Sequence, residues 1–221
     1  MTVPKVLVVA NETVRGASLL EAIESRVAKD PDTSFRLVVP MTRPKSGLVI
    51  YDAVERDAAQ VRVDLAVAFM GARGVVLEGE VGDPDPLTAT LDGLNAGDID
   101  EVILSTLPVT RSGWLRRDLL SRVRDATDVP VQHVVSDMDA EASPFTVTLV
   151  VANRTAVSDA LVTRLKAKAE TSTGQLFIVI VPQEERDGRG PGIARARLGN
   201  ALDRLREEGL TAAGMIGDPD P

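Results

Sequence analysis

The sequence predicts an α/β fold: a parallel sheet with helices on both faces, followed by a partial second copy of the same unit. Three observations carry this. Short β-branched runs alternate with segments of helical periodicity along the 221 residues. The chain matches itself in a fixed register. The pentapeptide Gly-Asp-Pro-Asp-Pro occurs at Gly82–Pro86 and again at Gly217–Pro221. A repeat of this size settles the fold before any single residue does.

The register is definite. Val6–Thr13 (VLVVANET) matches Thr148–Thr155 (TLVVANRT). Phe35 falls on Phe177, and Val39-Pro40 on Val181-Pro182, with no gap. The second copy is then shorter by about seven residues, taken after Pro182. Register returns at Gly74 on Gly209 and Val81 on Ile216.

The elements follow in order. Val6–Ala10 is a continuous apolar run, as in a strand buried on both faces. Ser18–Lys29 sets Leu19, Leu20, Ile23 and Val27 at helical spacing. Phe35–Val39 is the second strand and Pro40 ends it; Met41–Gly47 is loop. Asp52–Ala72 reads as a long helix with Val54, Ala58, Val61, Leu65 and Ala68 on one face, stopped by Gly74. Val75–Val81 is the third strand. Pro84 and Asp85 open a helix over Leu87–Leu94, since both suit a first turn. Glu101–Ser105 is the fourth strand, Ser112 caps one helix over Trp114–Thr127, and Val131–Val135 is the fifth strand.

Residues 1–137 thus form a complete domain, 138–145 an acidic linker, and 146–221 the first half of a second domain. That half reads as strand Val147–Ala152, helix Ser158–Lys168, strand Leu176–Val181, loop Gln183–Gly192, helix Ala194–Glu208 and strand Leu210–Ile216. Equivalents of the fourth strand, its helix and the fifth strand are missing. The strand Val147–Ala152 is then a bare, apolar edge that templates pairing. Either another chain covers it or the natural protein continues past Pro221.

Composition narrows the function. Aromatic residues are 3% of the chain, so Val, Leu, Ile and Ala build the core. There is no cysteine, which excludes disulfides and thiolate metal sites. No apolar run approaches the ~20 residues of a membrane span, and the N-terminus has no signal-peptide core; a cytoplasmic protein is expected. A net charge of −8 argues against a nucleic-acid partner.

In a doubly wound sheet, ligands bind beyond the carboxyl ends of the strands, where the strand order reverses. The candidates follow the first strand (Asn11, Glu12, Thr13) and the fourth (Ser105 to Gly113). LVVANET, EVGDPDPLTATL, DEVILS and VPVQHVV, in that order, resemble the universal stress protein family over Val6–Val135 and again over Val147–Pro221. The resemblance implies a flavodoxin-like sheet of five parallel strands in the order 3-2-1-4-5. It implies a non-catalytic module in stress response, frequent dimerisation through the fifth strand, and in one branch ATP binding. The homodimer edge is then Val131–Val135 or Val147–Ala152. A cofactor, ATP or another adenine nucleotide, would meet Asn11, Thr13, Val39, Ser105, Arg111, Gly113, Arg117 and Asp118.

The ATP-binding branch carries Gly-x2-Gly-x9-Gly-(Ser/Thr) after the fourth strand, where glycines let backbone amides approach phosphates. This sequence departs from it. Ser105 and Pro108 stand at the first two glycines, and Arg117 and Asp118 at the last Gly and the Ser/Thr. The acidic residue that comes after the first strand in the family is Asn11 here, and Asn153 in the second copy. The leading expectation is therefore a dimerising or ligand-sensing module without high-affinity ATP binding. The alternative is an adenine-nucleotide binder, or weak ATPase, using Arg111, Arg116 and Arg117 to hold an anion; those arginines also read as a solvated helix face.

Other residues favour plain structural roles. Asn11 and Asn153 either bind a ligand or brace the turn leaving the strand. His133, the only histidine, has no Ser or Cys at motif spacing. Trp114 reads as an anchor on the sheet or an interface residue rather than a stacking platform. The paired Asp residues of Gly-Asp-Pro-Asp-Pro are explained by capping and helix-dipole complementation rather than by a metal or an acid–base pair. Neither catalytic nor metal-ligating residues are assigned.

Overall fold

A computed structural model describes residues 3–42, 52–152, 158–171, 174–182 and 190–217. Asn153, Asp218–Pro221 of the second pentapeptide, and most of the two loops after the second strands lie outside the described residues.

The first sheet has five parallel strands: β1 (Lys5–Val9), β2 (Ser34–Pro40), β3 (Val76–Gly82), β4 (Glu101–Thr106) and β5 (Val131–Val135). Their spatial order is β3-β2-β1-β4-β5, a flavodoxin-like α/β arrangement. Helices α1 (Ala17–Lys29), α2 (Asp52–Gly71), α3 (Pro86–Asn95) and α4 (Leu119–Ala126) connect them. β1 is central: Val6, Leu7, Val8 and Val9 have no exposed surface. Each such side chain contributes roughly 1.5–3 kcal/mol of hydrophobic free energy. Leu7 and Val9 pack on α3 and α4 through Ala89, Leu119 and Val123.

The second sheet has three parallel strands, β6 (Thr146–Val151), β7 (Gln175–Pro182) and β8 (Ala212–Gly217), in the order β6-β7-β8. Helices α5 (Asp159–Glu170) and α6 (Gly190–Glu207) lie between them in sequence. Val150, Val162, Leu165, Phe177, Val179 and Leu205 belong to its core. The chain divides into two compact units, residues 1–50 with 62–144, and residues 51–61 with 145–221. The division falls inside α2 as well as after residue 144.

The repeat read from sequence reappears as identical strand pairing. Val6 pairs with Phe35 and Thr148 with Phe177. Phe35 pairs with Leu77 and Phe177 with Ala212; Val39 pairs with Val81 and Val181 with Ile216. Gly74 and Gly209 both hold φ +77, the left-handed conformation that closes the preceding helix and favours glycine.

Three elements differ from expectation. Trp114–Thr127 is not one helix. A 3-10 turn over Leu115–Arg117 precedes α4, and Asp118 between them is left-handed, with φ 55. Aspartate tolerates this conformation better than most residues, and its Oδ1 accepts a hydrogen bond from Ser121 Oγ at 2.9 Å. In α2, Ala58 and Ala68 are half-buried, while Ala59, Val63, Ala66 and Met70 are buried beside Val61 and Leu65, a broader stripe than one row of the helix. α6 starts at Gly190 rather than Ala194, and a proline in its first turn, Pro191, is compatible with that.

Candidate functional site

The strand order reverses between β1 and β4, so the loops leaving them diverge. A cleft of about 700 Å³ opens there. Asn11, Glu12 and Thr13 line it after β1, and Met41 and Thr42 after β2. Asp83, Pro84 and Asp85 line it after β3. Ser105, Thr106 and Leu107, then Arg111 to Trp114 and Arg117, complete the wall after β4.

Asn11 donates from Nδ2 to Thr42 Oγ1 at 2.8 Å, which joins the loops after β1 and β2. Its Oδ1 is buried without a partner, as is Oγ of Ser105, a residue only 1% exposed. A buried oxygen without a hydrogen bond costs about 1–3 kcal/mol unless a ligand or water satisfies it. Thr13 Oγ1 donates to the Ser105 carbonyl at 3.3 Å and sews the loop after β1 to β4.

The cations of the cleft are largely committed. Arg111 donates to Asp137 Oδ1 at 2.6 Å and also to Asp139. Arg117 donates from Nε to the Gly113 carbonyl at 3.2 Å. Both acidic partners of Arg111 belong to the acidic segment after β5. Glu141 of the same segment accepts from Ser18 N at 3.0 Å, Ser18 Oγ at 2.7 Å and Asp137 N at 2.8 Å. Burial pushes the Glu141 carboxyl up, but those hydrogen bonds outweigh it and hold the group below the usual glutamate range.

Of the residues singled out from sequence, Asn11, Thr13, Ser105, Arg111, Gly113 and Arg117 meet at this cleft. Val39 does not; it is fully buried in β2. Asp118 is exposed at the start of α4 and is not part of the lining. Asp83 and Asp85 of the first pentapeptide do line it, and sequence reasoning had given them capping roles alone. The capping expected of them is not made by a side chain: Asp85 holds the N-cap position of α3 without a side-chain cap hydrogen bond, Asp83 Oδ1 accepts from Asp85 N at 2.7 Å, and Asp85 Oδ2 accepts from Thr88 Oγ1 at 3.2 Å. Their position at the carboxyl end of a parallel strand was the available signal.

Trp114 lines the cleft and also packs against the core beneath α3 and α4. His133 on β5 shares a 2.9 Å hydrogen bond with Thr106 Oγ1. Burial, and then the charge of Arg124, lowers its pKa, so the imidazole is held neutral.

Among the described lining residues the charges do not favour a triphosphate. Arg111 is already neutralised by two carboxylates, and Glu12, Asp83 and Asp85 line the cleft. Among the described residues, no three acidic or histidine side chains are grouped to hold a metal ion, and no helix is long and apolar enough to cross a membrane. No protein-family model matches this chain, and no curated protein matches it.

Proposed function

We propose that the chain is a non-catalytic, ligand-sensing module of the universal stress type, with its ligand in the β1–β4 cleft. The observation that carries this is the cleft at the strand-order reversal, with the buried oxygens of Asn11 and Ser105 left without partners. The kinship rests on the strand order together with Asn11-Glu12-Thr13 and the Gly-Asp-Pro turn into α3. Isothermal titration with ATP, ADP, AMP and adenosine, on wild type and on a cleft-filling Asn11→Leu variant, tests it. Any ligand of the cleft loses its heat signal in the variant; a ligand that binds both proteins equally removes the cleft from consideration. Micromolar ATP binding that disappears in Arg117→Ala would replace this reading with the nucleotide-binding one.

We place self-association, between two copies of this chain, at the β6 edge rather than at β5. Among the described residues β6 pairs on one side only, with β7, and exposes Val147, Leu149 and Val151, whereas β5 exposes Val135. Two copies of one open edge can pair isologously about a two-fold axis. Light scattering decides this: a dimer that Leu149→Lys converts to monomer supports it, and a wild-type monomer refutes it.

A further inference from the structure

We infer that the cleft selects a small organic cation, an amine or guanidine with an apolar body, and turns away nucleoside polyphosphates. This rests on the reading of the cleft as a ligand site and gives it a chemical class.

Charge is the first reason. Glu12, Asp83 and Asp85 bring three carboxylates to the cleft from two separate loops. Asp83 and Asp85 make no ion pair among the described residues, and Glu12 feels the charge of Arg62, whereas Arg111 is held by both Asp137 and Asp139. Among the described lining residues Arg117 is the cation outside an ion pair, and its Nε is tied to the Gly113 carbonyl. Three carboxylates among the described lining residues stand against two guanidinium groups, one of which is already held by Asp137 and Asp139 from outside the cleft, so their balance is acidic. Opposite charge within a few ångströms stabilises a bound ion and like charge expels it.

Hydrogen bonding points the same way. Asn11 has spent its amide nitrogen on Thr42, which leaves Oδ1 as a buried acceptor. Ser105, 1% exposed and lining the cleft, has an unpartnered Oγ. Asn11 Oδ1 calls for an N–H donor, and the Ser105 hydroxyl can accept from one as readily as it can donate. A bare metal ion does not answer, because no group of three carboxylate or imidazole ligands among the described residues is close enough to share one. Met41, Pro84, Leu107 and Trp114 supply the apolar wall that an organic body needs.

Titration calorimetry with agmatine as the probe cation tests this, with adenosine as the neutral probe and ATP as the anionic one. Agmatine binds one per chain, and added salt weakens it on the order of tenfold, as expected for exposed carboxylates. The double variant Asp83→Asn/Asp85→Asn weakens agmatine by roughly tenfold or more while leaving adenosine unchanged. Glu12→Gln lies outside the α3 turn and weakens it in the same direction, so a folding defect at α3 cannot mimic the result. Agmatine binding that ignores all three substitutions overturns the inference. ATP or adenosine binding more tightly than agmatine, with loss in Asn11→Leu, overturns it too but leaves the cleft reading standing. No probe responding to Asn11→Leu overturns both.

Discussion

β1 and β6 have nearly the same sequence and opposite surroundings. In the repeat register Leu7 corresponds to Leu149 and Val9 to Val151. Leu7 and Val9 are fully buried; Leu149 is 58% and Val151 65% exposed. Val8 and its counterpart Val150 are both buried, since each faces its unit's own core. The difference lies in the elements that come later in each unit. The first unit supplies β4 to pair with β1 and α3 and α4 to cover that face. The described residues of the second contain no equivalents. An apolar strand is thus a demand for two faces and two edges, and the strand's own sequence does not reveal whether the demand is met.

Matched truncations sharpen this contrast most. Leu7→Ala leaves a cavity in a closed core and costs about 2–5 kcal/mol. Leu149→Ala at the equivalent site stays within roughly 0.5 kcal/mol, as exposed substitutions do. Urea unfolding followed by circular dichroism measures both. A cost at Leu149 comparable to that at Leu7 means that the β6 face is covered in solution, and its dependence on protein concentration would identify a second copy as the cover.

The two helix starts offer a smaller contrast. Gly16 precedes α1, and its counterpart in the repeat register is Ser158, which precedes α5. Ser158 caps its own helix, accepting from Leu161 N at 3.3 Å. Gly16 cannot carry a side chain: an added Cβ would lie 2.5 Å from Ser136 Oγ. Gly16→Ala therefore forces a shift of Ser136 or the backbone and costs about 1–3 kcal/mol. Ser158→Ala loses one capping bond, about 1 kcal/mol. Chemical denaturation of the two variants checks the order; equal losses would mean that the backbone at Gly16 or Ser136 shifts at little cost, since turning the hydroxyl away still leaves Ser136 Cβ 2.7 Å from the added Cβ.

Most of the architecture was legible because it depends on local pattern. Val6–Ala10 and Phe35–Val39 read as buried strands from β-branched runs alone, and the repeat carried the pairing register from one unit to the other. The break at Asp118 was not legible: Trp114–Thr127 has unbroken helical periodicity, and a single left-handed residue leaves no trace in it. The cleft was half legible. The ends of β1 and β4 follow from the reversal of strand order, whereas Asp83 and Asp85 were hidden behind a capping explanation. The pairing of Arg111 with Asp137 and Asp139 joins residues 26 and 28 apart in sequence, and no periodicity encodes such a contact. The acidic 138–145 segment was read as a spacer for the same reason, although Asp139 and Glu141 are bound within the first unit.

The subtlest contrast is one of pH. α1 begins under a titratable group supplied from 123 residues away, Glu141, while α5 begins under a hydroxyl that does not titrate. The Glu141 carboxyl sits below its ordinary 4.5, because the Ser18, Asp137 and Ala17 hydrogen bonds outweigh the opposing effect of burial. A depressed folded-state pKa means that the unfolded chain takes up the proton first. The stabilisation is complete above about 4.5 and is lost as pH falls through the folded value. Amide exchange at the first turn of α1 should accelerate over that interval, while in an Asp159→Asn background, which removes the carboxylate that pairs with Arg204 in the first turn of α5, that turn holds steady. Glu141→Gln keeps an acceptor oxygen but removes the charge, so it should abolish the pH dependence at α1 and raise its exchange modestly at neutral pH. Parallel acceleration of both helices in acid would show that global charge, rather than this cap, governs how the first unit opens.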